Sequence, residues 1–451
     1  MELFGTAGIR GSVAQRVTPE LALSVGQAAG RDGTAFVVGH DGRVTSPALA
    51  DAVVAGLESA GVDVARVGAV PTPALAFATR GRRGVMVTAS HNPPTDNGLK
   101  LFVDGREYDD DAEARIESRV DDGTTAAWDG WGRATTQDVL PGYRRAVAAY
   151  ARTHGADPSA STVAVDCGNG MSGVATPQVL RALGADVLAV EANVDGHFPA
   201  RGSKPTPESL TDFRDFIADS DADFGFGHDG DADRIVVVDG EGDVIHEDTV
   251  VAMLAAHYTR TSAVEDPVVV TTPNASGRID ERVEAVGGRV ERVRLGALHE
   301  GIARVEANAD ARTAVVFAAE PWKHVHPEHG GWIDGVASAA VLTRLAAERT
   351  LSERRADITE RPYRKVSVDC PDDHKAAVMD RLGDSLPERF PEADVATEYG
   401  VRLTFPDESW TLVRPSGTEP YVRLYAESDD VDELVADVTT VVETAVESAE
   451  S

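Results

Sequence analysis

Three apolar runs in this chain end abruptly in polar loops whose residue types can do chemistry. Gly84-Val85-Met86-Val87 leads into Thr88-Ala89-Ser90-His91-Asn92-Pro93. Phe224-Gly225-Phe226-Gly227 leads into His228-Asp229-Gly230-Asp231-Ala232-Asp233-Arg234. Ala314-Val315-Val316-Phe317 leads into Ala318-Ala319-Glu320-Pro321-Trp322-Lys323-His324. The second loop sets three carboxylates at i, i+2 and i+4, a pattern that can converge on one hard cation such as Mg²⁺ or Ca²⁺. An EF-hand would need Gly and Glu at loop positions six and twelve, where this chain has Arg234 and Gly240. The first loop lacks the G-x-S-x-G elbow of a serine hydrolase. In an extended segment His91 would point away from Ser90, so the pair reads poorly as nucleophile and base. A serine carrying a phosphoryl group needs no such base, only a cation opposite it, and the Asp229/Asp231/Asp233 loop would supply that.

Two further loops have the makings of phosphate cradles. Arg414-Pro415-Ser416-Gly417-Thr418-Glu419-Pro420 offers a guanidinium, two hydroxyls and backbone N–H groups. Gly5-Thr6-Ala7-Gly8-Ile9-Arg10-Gly11 lets backbone approach a ligand and adds one cation. Only five lysines occur, and two of them, Lys100 and Lys323, lie beside or inside these loops. A lysine can shed its proton where its surroundings lower its pKa, whereas arginine cannot.

The elements that must position these loops read as α/β. Residues 35–39 predict a strand, 46–60 a helix, 62–67 a strand and 84–88 another. The rhythm returns at 162–166, 174–183 and 185–190, and again at 267–271 with a helix over 274–286. Alternating β and α segments predict parallel sheets, whose carboxyl ends are where sites are built. After Pro362 the order changes. Strands at 362–369, 402–405, 410–413 and 421–426, followed by a helix over 430–448, predict an antiparallel α+β tail. Gly-, Asp- and Pro-rich stretches and the change of pattern place domain limits at 1–138, 139–242, 243–356 and 357–451. The first three units are alike in pattern, without a strict sequence repeat.

Composition narrows the function. The 451 residues suffice for about three or four domains at roughly 150 residues or fewer each. The formal charge of −32 argues against nucleic acid and against anionic membrane surfaces as partners. An acid-rich, lysine-poor surface suits molar salt, where the Debye length falls to about 3 Å and self-repulsion is screened. The expectation is a halophilic, archaeal, cytoplasmic protein. Cys167 and Cys370 give neither a metal spacing nor a disulfide framework. No signal peptide and no membrane span are legible.

Taken together and in order, the segments 4–11 (FGTAGIRG), 88–100 (TASHNPPTDNGLK), 229–234 (DGDADR), 320–324 and 414–420 (RPSGTEP) resemble the α-D-phosphohexomutase superfamily. Its members include phosphoglucomutases, phosphomannomutases and phosphoglucosamine mutases. The resemblance runs the length of the chain. It implies a four-domain, heart-shaped architecture: three similar α/β domains with mixed, mostly parallel sheets and a C-terminal α+β domain. It implies an isomerase that moves a phosphoryl group between the 1- and 6-positions of a hexose phosphate. Ser90 would be the phosphoserine, and Asp229, Asp231 and Asp233 the ligands of one Mg²⁺, completed by Ser90 phosphate. Arg10 and Lys100 would flank the phosphoserine, with Lys100 and His324 as acid/base candidates. Glu320 would hold sugar hydroxyls, Arg234 would stand beside the metal loop, and Arg414, Ser416, Gly417 and Thr418 would grip the non-reacting phosphate. A hexose 1,6-bisphosphate would be intermediate and activator. One departure stands out: where the family reads G-E-x-S-G-H, this chain has Trp322 and Lys323 in place of Ser and Gly. Trp322 could stack on a sugar face. Glucosamine and pentose phosphates, a sugar-phosphate phosphatase and a non-catalytic sensor are the competing readings, and monomer and homodimer are equally compatible.

Overall fold

The computed structural model describes residues 3–5, 8–416 and 419–450. Among them the strands form four sheets. The first contains Ile9–Ser12, Asp96–Val103, Arg83–Val87, Ala35–His40, Asp63–Ala69 and Ala134–Thr136 in that order, with Arg106–Glu107 paired to Asp96–Val103. The second runs Ile235–Asp239, Phe224–His228, Thr162–Asp166, Asp186–Val190. The third runs Arg289–Arg292, Asp266–Thr271, Thr313–Glu320, Lys323–Val325.

A shared device hides in these orders. Arg83–Val87, Phe224–His228 and Thr313–Glu320 each lie parallel to one neighbour and antiparallel to the strand that follows them in the chain. Each expected site loop is therefore the turn from the last parallel strand into the antiparallel strand beside it. Two-sided burial of the parallel strands explains why they read as continuous apolar runs: Val163, Ala164 and Val165 are buried, as are Val268, Val269 and Val270.

The fourth sheet, Tyr363–Asp369, Tyr421–Glu427, Trp410–Pro415, Val401–Thr404, Asp394–Ala396, is antiparallel throughout, as the tail pattern predicts. Helices Lys375–Arg389 and Val431–Glu450 pack against it around their own apolar cluster, which includes Val378, Leu382, Leu424 and Val442. A separate cluster passes from Phe102 of the first unit through Phe226 of the second to Phe317 of the third, so these units share one core. The tail is tied to them by polar contacts: Arg278 to Glu427 at 2.7 Å and Arg361 to Glu281 at 2.8 Å.

Two expected helices are shorter than the pattern suggests. The helix over 274–286 is Arg278–Glu284, because Ser276 Oγ accepts the Arg278 N–H and holds an open turn before it. The helix over 174–183 is Thr176–Leu183, preceded by a tighter 3₁₀ turn at Met171–Val174.

Candidate active site

The Ser90 loop is built on a buried ion pair that sequence reasoning missed. Asp41 and Arg43, just past strand Ala35–His40, are both buried, with Arg43 Nε 3.1 Å from Asp41 Oδ2. Arg43 also donates to the carbonyl oxygens of Ser90 (2.9 Å), Asn92 (2.7 Å), Pro93 (2.6 Å) and Asp96 (3.0 Å). Asp41 accepts from Ser46 and from Thr88, whose oxygen in turn accepts the Ser90 N–H at 2.8 Å. Burial pushes the Asp41 carboxyl up, against the pull of Arg43. The only available signal was an Asp-Gly-Arg triplet after a strand.

Ser90 adopts φ 52°, in the left-handed region. That turns the expected extended segment aside and brings His91 Nδ1 to 3.4 Å from Ser90 Oγ, nearer than strand alternation predicts. Burial, with Arg234 and Arg10 nearby, drives the His91 pKa down to about 2, so this ring is uncharged.

The acidic loop joins two antiparallel strands, with Ala232 at φ 62° making the turn. His228 Nδ1 sits 2.8 Å from the Arg234 carbonyl and closes the ends of the loop. Asp229, Asp231 and Asp233 are buried, and one oxygen from each lies within 4.8 Å of the others. Thr72 donates to Asp231 at 2.6 Å. Asp231 Oδ1 and Asp233 Oδ1 are buried with no hydrogen-bond partner. Three hard oxygen donors with unfilled capacity fit a divalent cation of the Mg²⁺ or Ca²⁺ class.

The loops meet. Ser90 Oγ donates to Asp229 Oδ2 at 2.8 Å, across 139 residues of chain. Gly230 permits this, since a Cβ there would lie 2.7 Å from the Ser90 carbonyl oxygen. Lys100 Nζ lies 2.7 Å from Asp233 Oδ2, 3.6 Å from Asp231 Oδ2 and 3.8 Å from Glu107 Oε1. Burial works against its charge, but these carboxylates win and hold its pKa above the ordinary lysine value. The expectation of a lysine poised to shed its proton therefore does not describe this arrangement. Burial and the neighbouring Asp233 and Asp231 push Asp229 well up, while Lys100 and Arg234 overcome burial and hold Asp233 well down.

The third loop closes one wall. Arg234 and Lys323 form a backbone bridge, and Arg234 Nε lies 3.7 Å from Asp229 Oδ2. A cleft is lined by Arg10, Lys100, Asp233, Glu320 and Lys323, with Glu107 and His299 added to the residues read from sequence. Arg10 reaches it from strand Ile9–Ser12, where it pairs with Gly98. Glu320 already has two protein donors, the Gly296 N–H and Lys323 Nζ at 3.3 Å.

Two expected residues are not among those that line the cleft. Trp322, at φ 66°, does not line the cleft; it packs on an apolar cluster of the second unit that includes Leu210, Phe213 and Val236. That packing takes up part of its indole, which is half-buried. His324 is buried, one strand residue on from Lys323, and contacts Ser338 Oγ at 3.0 Å. In the tail, Arg414 Nη2 lies 3.3 Å from the Tyr425 hydroxyl. The Ser416 turn is held by Lys375, which donates to the Ser416 and Glu419 carbonyls at 2.7 and 2.6 Å. Arg414 and Ser416 are not among the walls of the cleft, and Gly417 and Thr418 lie outside the described residues.

Comparison with known proteins decides the family. The sequence matches phosphoglucomutase/phosphomannomutase α/β/α domain I over residues 1–127, domain II over 141–242 and the C-terminal domain over 366–443. The chain belongs to the phosphoglucomutase/phosphomannomutase family. As a phosphohexomutase it is an enzyme of the isomerase class. A phosphopentomutase from Thermococcus kodakarensis is 41% identical over 438 residues, covering 95% of this chain and 94% of that protein. A probable phosphoglucosamine mutase from Methanopyrus kandleri is 39% identical over 438 residues, covering 94% of each. The crystal structure of a phosphoglucomutase/phosphomannomutase family protein from Burkholderia thailandensis superposes with a TM-score of 0.86 at 26% identity, covering 100% of this phosphohexomutase and 98% of that chain. Among the described residues, no helix is long and apolar enough to cross a membrane.

Proposed function

We propose that this phosphohexomutase moves a phosphoryl group between the 1- and 6-positions of a hexose phosphate, by way of a phosphoserine at Ser90 and a sugar bisphosphate. The observation that carries the reading is the 2.8 Å contact between Ser90 Oγ and Asp229 inside a buried carboxylate triad. Asp229, Asp231 and Asp233 would hold one Mg²⁺, which when bound draws charge off the transferring phosphoryl group.

The chain's residues divide the remaining work. A free sugar hydroxyl attacks the phosphorus on Ser90, a new P–O bond to the sugar forms and the bond to Ser90 Oγ breaks. The hydroxyl gives up its proton to an acceptor, and the Ser90 oxygen recovers one. His324 is uncharged and could take the proton directly, whereas Lys100, held protonated by its carboxylates, could take one only after passing its own to the Ser90 oxygen. Arg10, Lys100 and Arg234 face the developing negative charge, an electrostatic role worth several kcal/mol in a water-poor cleft. The bisphosphate then reverses, and Ser90 takes back the other phosphoryl group. Arg414, Ser416, Gly417 and Thr418 would hold the phosphate that is not reacting, and closure of the tail domain would exclude water. A hexose 1,6-bisphosphate primes the serine. We assign the domains to 1–138, 139–242, 243–356 and 357–451, the location to the cytoplasm and the surface charge to life in high salt.

Intact-protein mass spectrometry in several molar KCl tests the reading: one phosphate is expected on Ser90, removed together with activity in Ser90→Ala. An unphosphorylated protein whose Ser90→Ala variant keeps full activity would refute it. Phosphate release to water in place of isomerisation would favour the phosphatase alternative.

A second reading, phosphopentomutase, is favoured by the pairing of Glu320 with Lys323 and Gly296, which leaves that carboxylate less capacity for sugar hydroxyls. It is also the activity for which the Thermococcus kodakarensis relative is named. Relative kcat/KM on glucose, mannose, glucosamine and ribose phosphates discriminates, and Lys323→Ser should raise the hexose-to-pentose ratio about tenfold if the pairing sets it.

A further inference from the structure

We propose that Ser338, His326 and Tyr258 form a positioning chain that fixes His324 in one neutral tautomer, its proton on Nδ1 and its Nε2 held open as an acceptor. The proposal deepens the reading above, in which His324 is a candidate for the proton exchange.

Ser338 lies in the first turn of helix Gly335–Glu348, and its Oγ has three polar neighbours. They are the Asp334 carbonyl oxygen at 2.9 Å, His324 Nδ1 at 3.0 Å and His326 Nε2 at 2.9 Å. A hydroxyl has one proton and two lone pairs. The carbonyl can only accept, and the hydroxyl is oriented to donate to it. With that proton so placed, both ring nitrogens donate to Oγ. His324 is thereby protonated at Nδ1, and His326 at Nε2.

The next link agrees. With its proton on Nε2, His326 presents a bare Nδ1, and the Tyr258 hydroxyl stands 2.7 Å from it, able to donate. The Tyr258 oxygen then accepts from the Tyr150 hydroxyl at 3.0 Å. All members of the chain from Ser338 to Tyr258 are buried, and burial keeps both histidines uncharged. The far end is anchored by Asp334, whose carboxylate accepts from Tyr143, Trp332 and the Ala337 N–H, and whose own N–H donates to the His324 carbonyl.

One atom is left over. His324 Nε2 is buried and has no hydrogen-bond partner. Orphaned buried polar atoms are few in folded proteins and each needs a reason. The reason offered here is an acceptor kept free for a donor that arrives with substrate, of the sugar-hydroxyl class, next to the strand residue Lys323 that lines the cleft. Ser338, His326 and Tyr258 touch no substrate in this scheme; they act through His324.

Long-range ¹H–¹⁵N correlation of the imidazole rings tests this, with His324→Asn assigning the His324 signals. Expected in the wild-type protein are a protonated Nδ1 and an unprotonated Nε2. Ser338→Ala should let the proton move to Nε2 and lower kcat about tenfold with KM changed less than twofold, and Ser338→Thr should restore both. Tyr258→Phe, which keeps the ring and removes the donor, should loosen the tautomers of His326 and His324 if Ser338→Ala does not fold. A protonated Nε2 in the wild-type protein, or an unchanged ring spectrum in whichever of these variants folds, overturns the proposal. The spectrum is read without turnover, so it stands or falls separately from the proposed activity.

Discussion

Arg43 Nη2 donates to the carbonyl oxygen of Ser90 at 2.9 Å, and both residues are buried. The contact means that the phosphorylatable loop is shaped from behind by a guanidinium that itself never faces the cleft. Among the described residues Arg43 pairs with Asp41, so truncating it leaves a buried carboxylate without that partner. Arg43→Met is expected to cost about 3–5 kcal/mol of unfolding free energy, the usual result of breaking a buried pair. Asp41→Asn on top of it should recover part of that loss. Denaturant titration in high salt checks this; equal stability of Arg43→Met and wild type would show that the loop does not depend on the pair.

Gly230 offers a test of loop approach that leaves the chemistry in place. A Cβ at this position would sit 2.7 Å from the Ser90 carbonyl oxygen and 3.2 Å from the Phe198 ring. Gly230→Ala should therefore push the serine loop off the carboxylate triad by a fraction of an ångström to an ångström. Displacements of about 1 Å at a reacting centre can cost roughly 10²-fold in rate. The expected outcome is a kcat reduced about 10- to 100-fold, with a near-normal melting temperature. Full activity would mean that the 2.8 Å approach is not needed.

Much of this site was legible because its residues sit at strand ends. The apolar runs 84–87, 224–227 and 314–317 announced buried strands, and the polar residues after them could only be loops at one edge of a sheet. What stayed hidden is what residue types alone do not encode. Nothing in the sequence distinguishes Arg43 from an ordinary surface arginine, since its burial depends on four carbonyls folded onto it from residues 90 to 96. Trp322 is a converse case: an aromatic in a sugar loop suggests stacking, and what the residue type does not encode is the positive φ with which it packs, half-buried, against the second unit's apolar cluster. The lysines lie near more of the candidate loops than the sequence pattern alone indicated. Besides Lys100 and Lys323, Lys375 pins the tail loop, and Lys365 lies 5.7 Å from the Tyr425 ring that Arg414 also approaches.

The buried histidines make stability fall on the acid side. Burial holds His154 at about 4, His257 at about 3 and His324 at about 3, and pushes His326 well below its ordinary value. These groups take up protons in the unfolded chain near pH 6.5 but not in the folded one. Their contribution is complete above pH 6.5 and is lost progressively as pH falls from there toward the folded values. For His324, held at about 3, the loss at pH 5 is about 2 kcal/mol, from 1.36 kcal/mol per unit. Unfolding midpoints measured from pH 7.5 to 5 in constant high salt should drop steadily, and His257→Gln should flatten the slope. A midpoint that holds level over this range would contradict the assignment of these rings as neutral and buried.

Lys375 separates binding from chemistry. It stands at the start of helix Lys375–Arg389 and donates to the carbonyls of Ser416 and Glu419, so it sets the shape of the turn expected to grip the non-reacting phosphate. It lies far in sequence from the serine and the carboxylate triad and makes no contact with them in the hydrogen-bond pattern of the described residues. Lys375→Met removes two charge-assisted donors at once, each worth about 1.5–3 kcal/mol where both partners are well placed. Part of that falls on stability, because the Lys375 side chain is largely buried and also pairs with the exposed Asp372 at 2.5 Å. The part that falls on the turn should appear as a KM raised about tenfold or more. The phosphoserine content should stay at the wild-type level, since loading of Ser90 depends on the other side of the cleft. Lys375→Arg should recover some of the KM, because a guanidinium can still reach two carbonyls. If Lys375→Met instead lowered phosphoserine content and left KM alone, the tail turn would not be a phosphate grip.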